Sequence, residues 1–108
     1  MQLKGFVKRV IDGDTVDVLI DLPLDVYKLE RVRLLGINAP EVTTVEGLNS
    51  KKHLIDLINN KEVLVIIKES AIRDKYGRLL AYITCDSINV NNYMLDKGYA
   101  VCYQNQKK

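Results

Sequence analysis

Apolar and polar positions alternate through the first part of this chain in the two-residue rhythm of half-buried strands. Residues 3–11 and 14–20 carry it, with Asp12-Gly13 as the turn of a hairpin. In the second of these strands Val16, Val18 and Ile20 share one face, and Thr15, Asp17 and Leu19 take the other. A looser connection containing Pro23 follows, then a third strand predicted from about residue 27 to 37. Pro40 ends it and holds Ala39 extended. The period then changes. Residues 47–60 read as a helix, with Leu48, Leu54, Leu57, Ile58 and the stem of Lys51 on one stripe and Asn59-Asn60 at its end. Strands at 63–68 and 79–84 flank a polar connection, and a short helix near 91–97 ends at Gly98.

The predicted order is βββ-α-ββ-α in one domain over residues 1–108. Five strands with a helix between the third and fourth suit a small closed barrel of the OB type, mainly β with α+β character. A five-stranded α+β sandwich fits the same order. A hydrophobic fraction of 47% and a charged fraction of 28% belong to an ordinary globular chain. The longest apolar run, at 63–67, is too short to span a bilayer. No signal-peptide pattern opens the sequence, so a cytoplasmic location is expected. Cys85 and Cys102 lack any CxxC or paired-histidine context and read as reduced thiols. A net charge of +2 is small, so any contact with nucleic acid must come from a local patch.

Three strings carry chemistry: IDGDTV at 11–16, RVRLLGINAPE at 31–41 and RDKYGR at 73–78. Each alone has a plain structural reading, as turn, bend and charged loop. Together they hold what phosphodiester hydrolysis around a hard cation requires. Asp14, the Asn38 amide and the Ala39 carbonyl offer oxygen ligands. Arg33 and Arg78 offer bidentate forks for the charge that grows on a five-coordinate phosphorus. Glu41 offers a carboxylate to orient or deprotonate water. The chain has neither a hydrolase triad nor a Gly-rich phosphate loop. His53 is the only histidine, which disfavours zinc and histidine-metal nucleases. Tyr82 and Tyr93 are expected in the core, and Lys51, Lys52, Lys107 and Lys108 in solvent, within reach of a backbone phosphate.

The segments DGDTV, R-x-L-G-I-x-A-P-E, DKYGR and V-N-x-x-M-L-x-K-G-Y-A, in this order from about Val7 to Ala100, resemble the staphylococcal nuclease (thermonuclease) family. The resemblance implies an OB-fold barrel and a Ca²⁺-dependent nuclease acting on DNA and RNA, leaving 3′-phosphate and 5′-hydroxyl ends. It implies Asp14, Asn38 and the Ala39 carbonyl as metal ligands, Arg33 and Arg78 as catalytic arginines, and Glu41 as the residue holding the attacking water. It further implies Lys75 and Tyr76 as contacts to a terminal nucleotide phosphate.

Two departures stand out. Asn38 occupies a place where the family carries a ligating aspartate, so weaker calcium binding is expected. The sequence also stops soon after the second helix, without a counterpart of the family's third helix, and Tyr103 is only a neighbour of the place where a base-stacking aromatic is expected. The first reading is a monomeric nuclease with no obligate protein partner and no membrane association. The alternative is a nucleic-acid-binding OB module that lost its chemistry through Asn38. A protein-interaction barrel ranks third, since it would not need Arg33, Glu41 and Arg78 together. With both arginines near it, Glu41 is expected to stay charged and mainly orient the water.

Overall fold

The computed structural model describes residues 1–103. Three long antiparallel strands come first: β1 (Gln2–Asp12), β2 (Thr15–Leu22) and β3 (Val26–Leu34), followed by a two-residue strand β4 (Ile37–Asn38). Helix α1 (Val45–Ile58) precedes β5 (Glu62–Ile67), and a loop containing a short 3-10 turn leads to β6 (Leu79–Cys85). The two-residue strand β7 (Ile88–Asn89), helix α2 (Val90–Asp96) and β8 (Val101–Cys102) complete the described chain.

β1 pairs with β2 on one side and β5 on the other, β2 with β3, and β5 with β6. A short parallel pairing of 32–34 with 79–81 joins β3 to β6 and closes five strands into a barrel, the OB-type architecture. The alternation dictates what lies inside: Val7, Val16, Val18, Val32, Leu34, Val65 and Ile83 are all fully buried. α1 covers the barrel with Leu54 and Ile58, and α2 with Val90 and Met94.

The structure amends several expectations. Pro23 begins a tight turn, because Leu22 still pairs with Val26 and Leu24 and Asp25 take φ of 64° and 58°. Neither is glycine, which is why the pattern hid it. The third strand ends at Leu34 because Leu35-Gly36 turns the chain into β4, whose partner is the distant β8. α1 begins earlier than expected. Thr44 caps it, its hydroxyl accepting from the Gly47 N–H at 3.0 Å. Leu48 is exposed, and Gly47, Ser50, Leu54 and Ile58 form the buried stripe. A Cβ on Gly47 would collide with the Glu41 carbonyl, so this glycine lets the helix sit directly against Pro40-Glu41. Tyr82 is 37% exposed on the outer side of β6, whereas Tyr93 packs against the core as expected. Neither Cys85 nor Cys102 is in a disulfide. Lys107 and Lys108 lie outside the described residues.

One buried side chain ties the fold to the segment of interest. Asn91 of α2 donates to the carbonyls of Leu35 (2.8 Å) and Ala81 (3.2 Å) and accepts from the Ile83 N–H (3.1 Å). Buried amides persist only when satisfied in this way. It fastens the Leu35-Gly36 turn to β6, fixing where β4 emerges.

Candidate active site

The Asp12-Gly13-Asp14 turn, the end of β3 and β4 converge on a buried ion pair. Asp14 and Arg33 are 6% and 7% exposed, with Arg33 Nη1 3.5 Å from Asp14 Oδ2. Arg33 Nη1 donates to the carbonyls of Ile37 (2.8 Å) and Leu34 (3.1 Å), and Nη2 donates to Asn38 Oδ1 (3.1 Å). Asp14 accepts from the Ala39 N–H (2.8 Å) and from the Thr15 hydroxyl (2.9 Å). Asp14, Arg33, Asn38 and Ala39 therefore form one hydrogen-bonded cluster, with each buried charge satisfied by several partners.

Glu41 lies just beyond, after Pro40, at the mouth of α1. Its carbonyl accepts from the Thr44 N–H (3.0 Å) and hydroxyl (2.6 Å), which holds the main chain while the residue stays exposed. Its carboxylate forms no ion pair with another described residue. The two arginines expected beside it are held by other acids: Arg33 by Asp14, and Arg78 by Asp74, whose Oδ2 accepts from Arg78 Nε at 2.6 Å.

Arg78 ends the loop that precedes β6, two residues before Leu80, and Leu80 pairs with Arg33 across the barrel closure. Burial alone would raise the pKa of Asp74. Hydrogen bonds from the Arg78 main chain and guanidinium, and from the Tyr76 N–H, outweigh it and hold this carboxyl below its ordinary range. Lys75 and Tyr76 occupy the exposed loop tip, with Lys75 Nζ 5.3 Å and Arg78 Cζ 5.2 Å from the Tyr76 ring centre. The structure places Lys75 and Tyr76 beside Arg78 and gives them no contact with the Asp14 cluster.

Four features escape a reading of the sequence. Arg73 makes a bidentate pair with Glu30 of β3 (3.0 and 2.8 Å) and donates to the Gly77 carbonyl (2.8 Å), clamping the loop to the strand that bears Arg33. Tyr103 lies with its ring 5.9 Å from the Arg33 guanidinium. Asn91 acts from a helix far along the chain. Asp12, readable as a turn former alone, accepts from the Asp14 N–H at 3.0 Å and adds a second carboxylate. Two acids two residues apart in one tight turn were the available signal.

Burial, reinforced by the hydrogen bonding and charge of Asp14, pushes the Asp12 carboxyl up from 3.8 to about 6. The folded protein thus binds a proton that the unfolded chain releases, and stability should fall as pH rises from about 4 to 6. Two units correspond to about 3 kcal/mol, and half-exposure brings the effect nearer 1 kcal/mol. Asp12→Asn is expected to stabilise the protein by about that amount at pH 7 in EDTA and to flatten this pH dependence. Urea unfolding at pH 5 and 7 checks it; an unchanged pH dependence would rule out Asp12 as its source.

A hard divalent cation fits this turn. All the donors are oxygens, and a positive charge would relieve both the burial of the Asp12 carboxylate and its closeness to Asp14. Among the described residues, no group of three or more His, Cys, Asp or Glu side chains assembles. The oxygens here that could hold a cation are the Asp12 and Asp14 carboxylates, with the Asn38 amide and the Ala39 carbonyl as neutral donors.

The family model described as "Staphylococcal nuclease homologue" matches residues 31–108. An "Uncharacterized endonuclease" of Escherichia coli is 37% identical over 103 residues, covering 94% of this chain and 62% of that protein. The "Micrococcal nuclease" of Shigella flexneri is 34% identical over 110 residues, covering 94% and 59%. "Endonuclease YncB" of Bacillus subtilis is 33% identical over 98 residues, covering 85% and 44%. The chain thus spans about three fifths or less of the length of these relatives.

Proposed function

Because this chain belongs to the staphylococcal nuclease family, we propose that it hydrolyses phosphodiester bonds of DNA, RNA or both with the help of Ca²⁺. The products are 3′-phosphate and 5′-hydroxyl ends. The observation that carries this reading is the preorganised Arg33 guanidinium. Three of its five donors are spent on the Leu34 and Ile37 carbonyls and the Asn38 amide, which fixes the plane of the fork before substrate arrives.

Asp14, Asn38 and the Ala39 carbonyl, with Asp12 behind them, would hold the ion, which supplies Lewis acidity toward a phosphate oxygen. Arg33 and Arg78 bind the phosphoryl oxygens and stabilise the charge that develops there. Glu41 orients a water molecule in line with phosphorus and accepts its proton as the P–O bond forms. The P–O5′ bond breaks, and the departing 5′ oxygen takes up a proton. Lys75 and Tyr76, beside Arg78, contact a terminal phosphate of the strand.

Asn38 supports a second reading, since a neutral amide replaces a charge in a site for a dication. Cleavage of single-stranded DNA at millimolar Ca²⁺, with an EDTA control and Asn38→Asp alongside, separates the two. The expected result is Ca²⁺-dependent cleavage by the unmodified protein, with half-maximal activity at roughly tenfold lower Ca²⁺ in Asn38→Asp. Silence in the unmodified protein with activity in Asn38→Asp would favour a nucleic-acid-binding module. An identical Ca²⁺ dependence in both proteins would remove residue 38 from the ion site.

A further inference from the structure

Beside the carboxylate turn, a groove of about 470 Å³ runs between β1 and α1. Lys8 and Arg9 line one wall, Lys51 and Asn59 the other, and Val10 and Ile55 supply apolar surface between them. No acidic residue lines it among those described.

The backbone is shaped to put these cations there. In a regular strand Lys8 and Arg9 would face opposite sides of the sheet. The register against β2 shifts between Val7 and Arg9, so Lys8 is the extra residue of a β-bulge. Both cations are then exposed while Val7 and Val10 stay buried. Across the groove, Lys51, Ile55 and Asn59 recur every four residues along a helical line of about 12 Å.

The charge on this face is in excess. Arg9 reaches Asp17 at 3.7 Å, but that carboxylate already accepts from Arg31 at 2.9 and 3.2 Å. Lys8 Nζ lies 5.6 Å over the Phe6 ring. The lysines that do form ion pairs among the described residues are Lys28 and Lys61, not Lys8 or Lys51. Both walls also lead to the candidate active site. Ile11 adjoins Asp12, and Lys51 follows Ser50, whose Cβ would stand 2.8 Å from a Cβ placed on Gly13.

We propose that the β1–α1 groove binds the sugar–phosphate backbone of single-stranded nucleic acid flanking the bond that is cut. Cations on the walls pair with phosphates, and the apolar strip accommodates sugars and base edges without reading sequence. The inference rests on the phosphodiesterase reading for its location, but its test does not depend on turnover.

The test is fluorescence anisotropy of a labelled long oligothymidylate in EDTA, with a labelled dinucleotide for comparison. Lys8→Glu/Lys51→Glu should weaken binding of the long strand roughly tenfold or more. Its log–log salt slope should fall by about 1.4, from two phosphate contacts worth about 0.7 each. Dinucleotide binding should not change. Lys8→Gln/Lys51→Gln should give a smaller loss in the same direction, with thermal melting confirming the fold of both variants. Unchanged affinity and slope for the long strand would overturn the proposal, as would an equal loss for the dinucleotide. A larger loss on duplex than on single strand would overturn the single-strand assignment. Loss of strand binding in a protein that cleaves nothing with Ca²⁺ would leave the groove standing and remove the phosphodiesterase reading. Normal cleavage with unchanged binding would do the reverse.

Discussion

Arg33→Met is expected to cut single-turnover cleavage by about a thousandfold or more, roughly 4 kcal/mol of transition-state stabilisation. It should also destabilise the fold by about 3 kcal/mol. The same guanidinium satisfies two main-chain carbonyls and faces a buried Asp14 carboxylate, which would be left without its cation. Arg33→Lys separates the two effects. It restores the charge opposite Asp14 and so part of the stability, but an ammonium lacks the planar fork, and turnover should stay low. Urea denaturation and single-turnover kinetics on the three proteins check this. Near-normal cleavage in Arg33→Met would end the assignment of Arg33 to the phosphate.

Glu41→Gln is expected to cost about a thousandfold in kcat with the fold untouched. What fixes residue 41 is its main chain, through Thr44 and the close approach of Gly47, and glutamine keeps both. Its side chain is exposed and contributes no ion pair among the described residues, so there is little stability to lose. Thermal melting and single-turnover kinetics test both halves. Cleavage at the unmodified rate would remove Glu41 from the chemistry, and a large drop in melting temperature would make its role structural.

The strands and helices could be read from the chain because a period of two and a period near four are local properties. What could not be read were contacts between distant segments. Nothing around Leu35-Gly36 announces that Asn91, on another helix, will anchor that turn. Leu24 and Asp25 adopt left-handed conformations without the glycine that would have marked a tight hairpin. Leu48 fits a helical stripe by spacing and is nevertheless exposed, because the helix turns Gly47 and Ser50 inward instead. The candidate site shows the same division. Asp14, Arg33, Asn38, Ala39, Glu41, Lys75, Tyr76 and Arg78 could be named from three short strings. Their separate arrangement, with each arginine held by its own aspartate, could not. Asp12 was visible yet passed for a turn residue, and Arg73 and Glu30 meet only because the barrel brings 43 positions of sequence separation together.

The barrel closes where three residues of β3 lie alongside three of β6, and Arg33 stands in that seam opposite Leu80. Arg78 lies at its threshold, tied back to β3 by the Arg73–Glu30 clamp. Each guanidinium is held by its own partners, Arg33 by the Leu34 and Ile37 carbonyls and Asn38, Arg78 by Asp74, and the seam joins the strands that carry those partners. On the proposed function, a substitution that parts this seam separates the two arginines that hold the phosphate, so the short β3–β6 pairing acts as a hinge pin for the site.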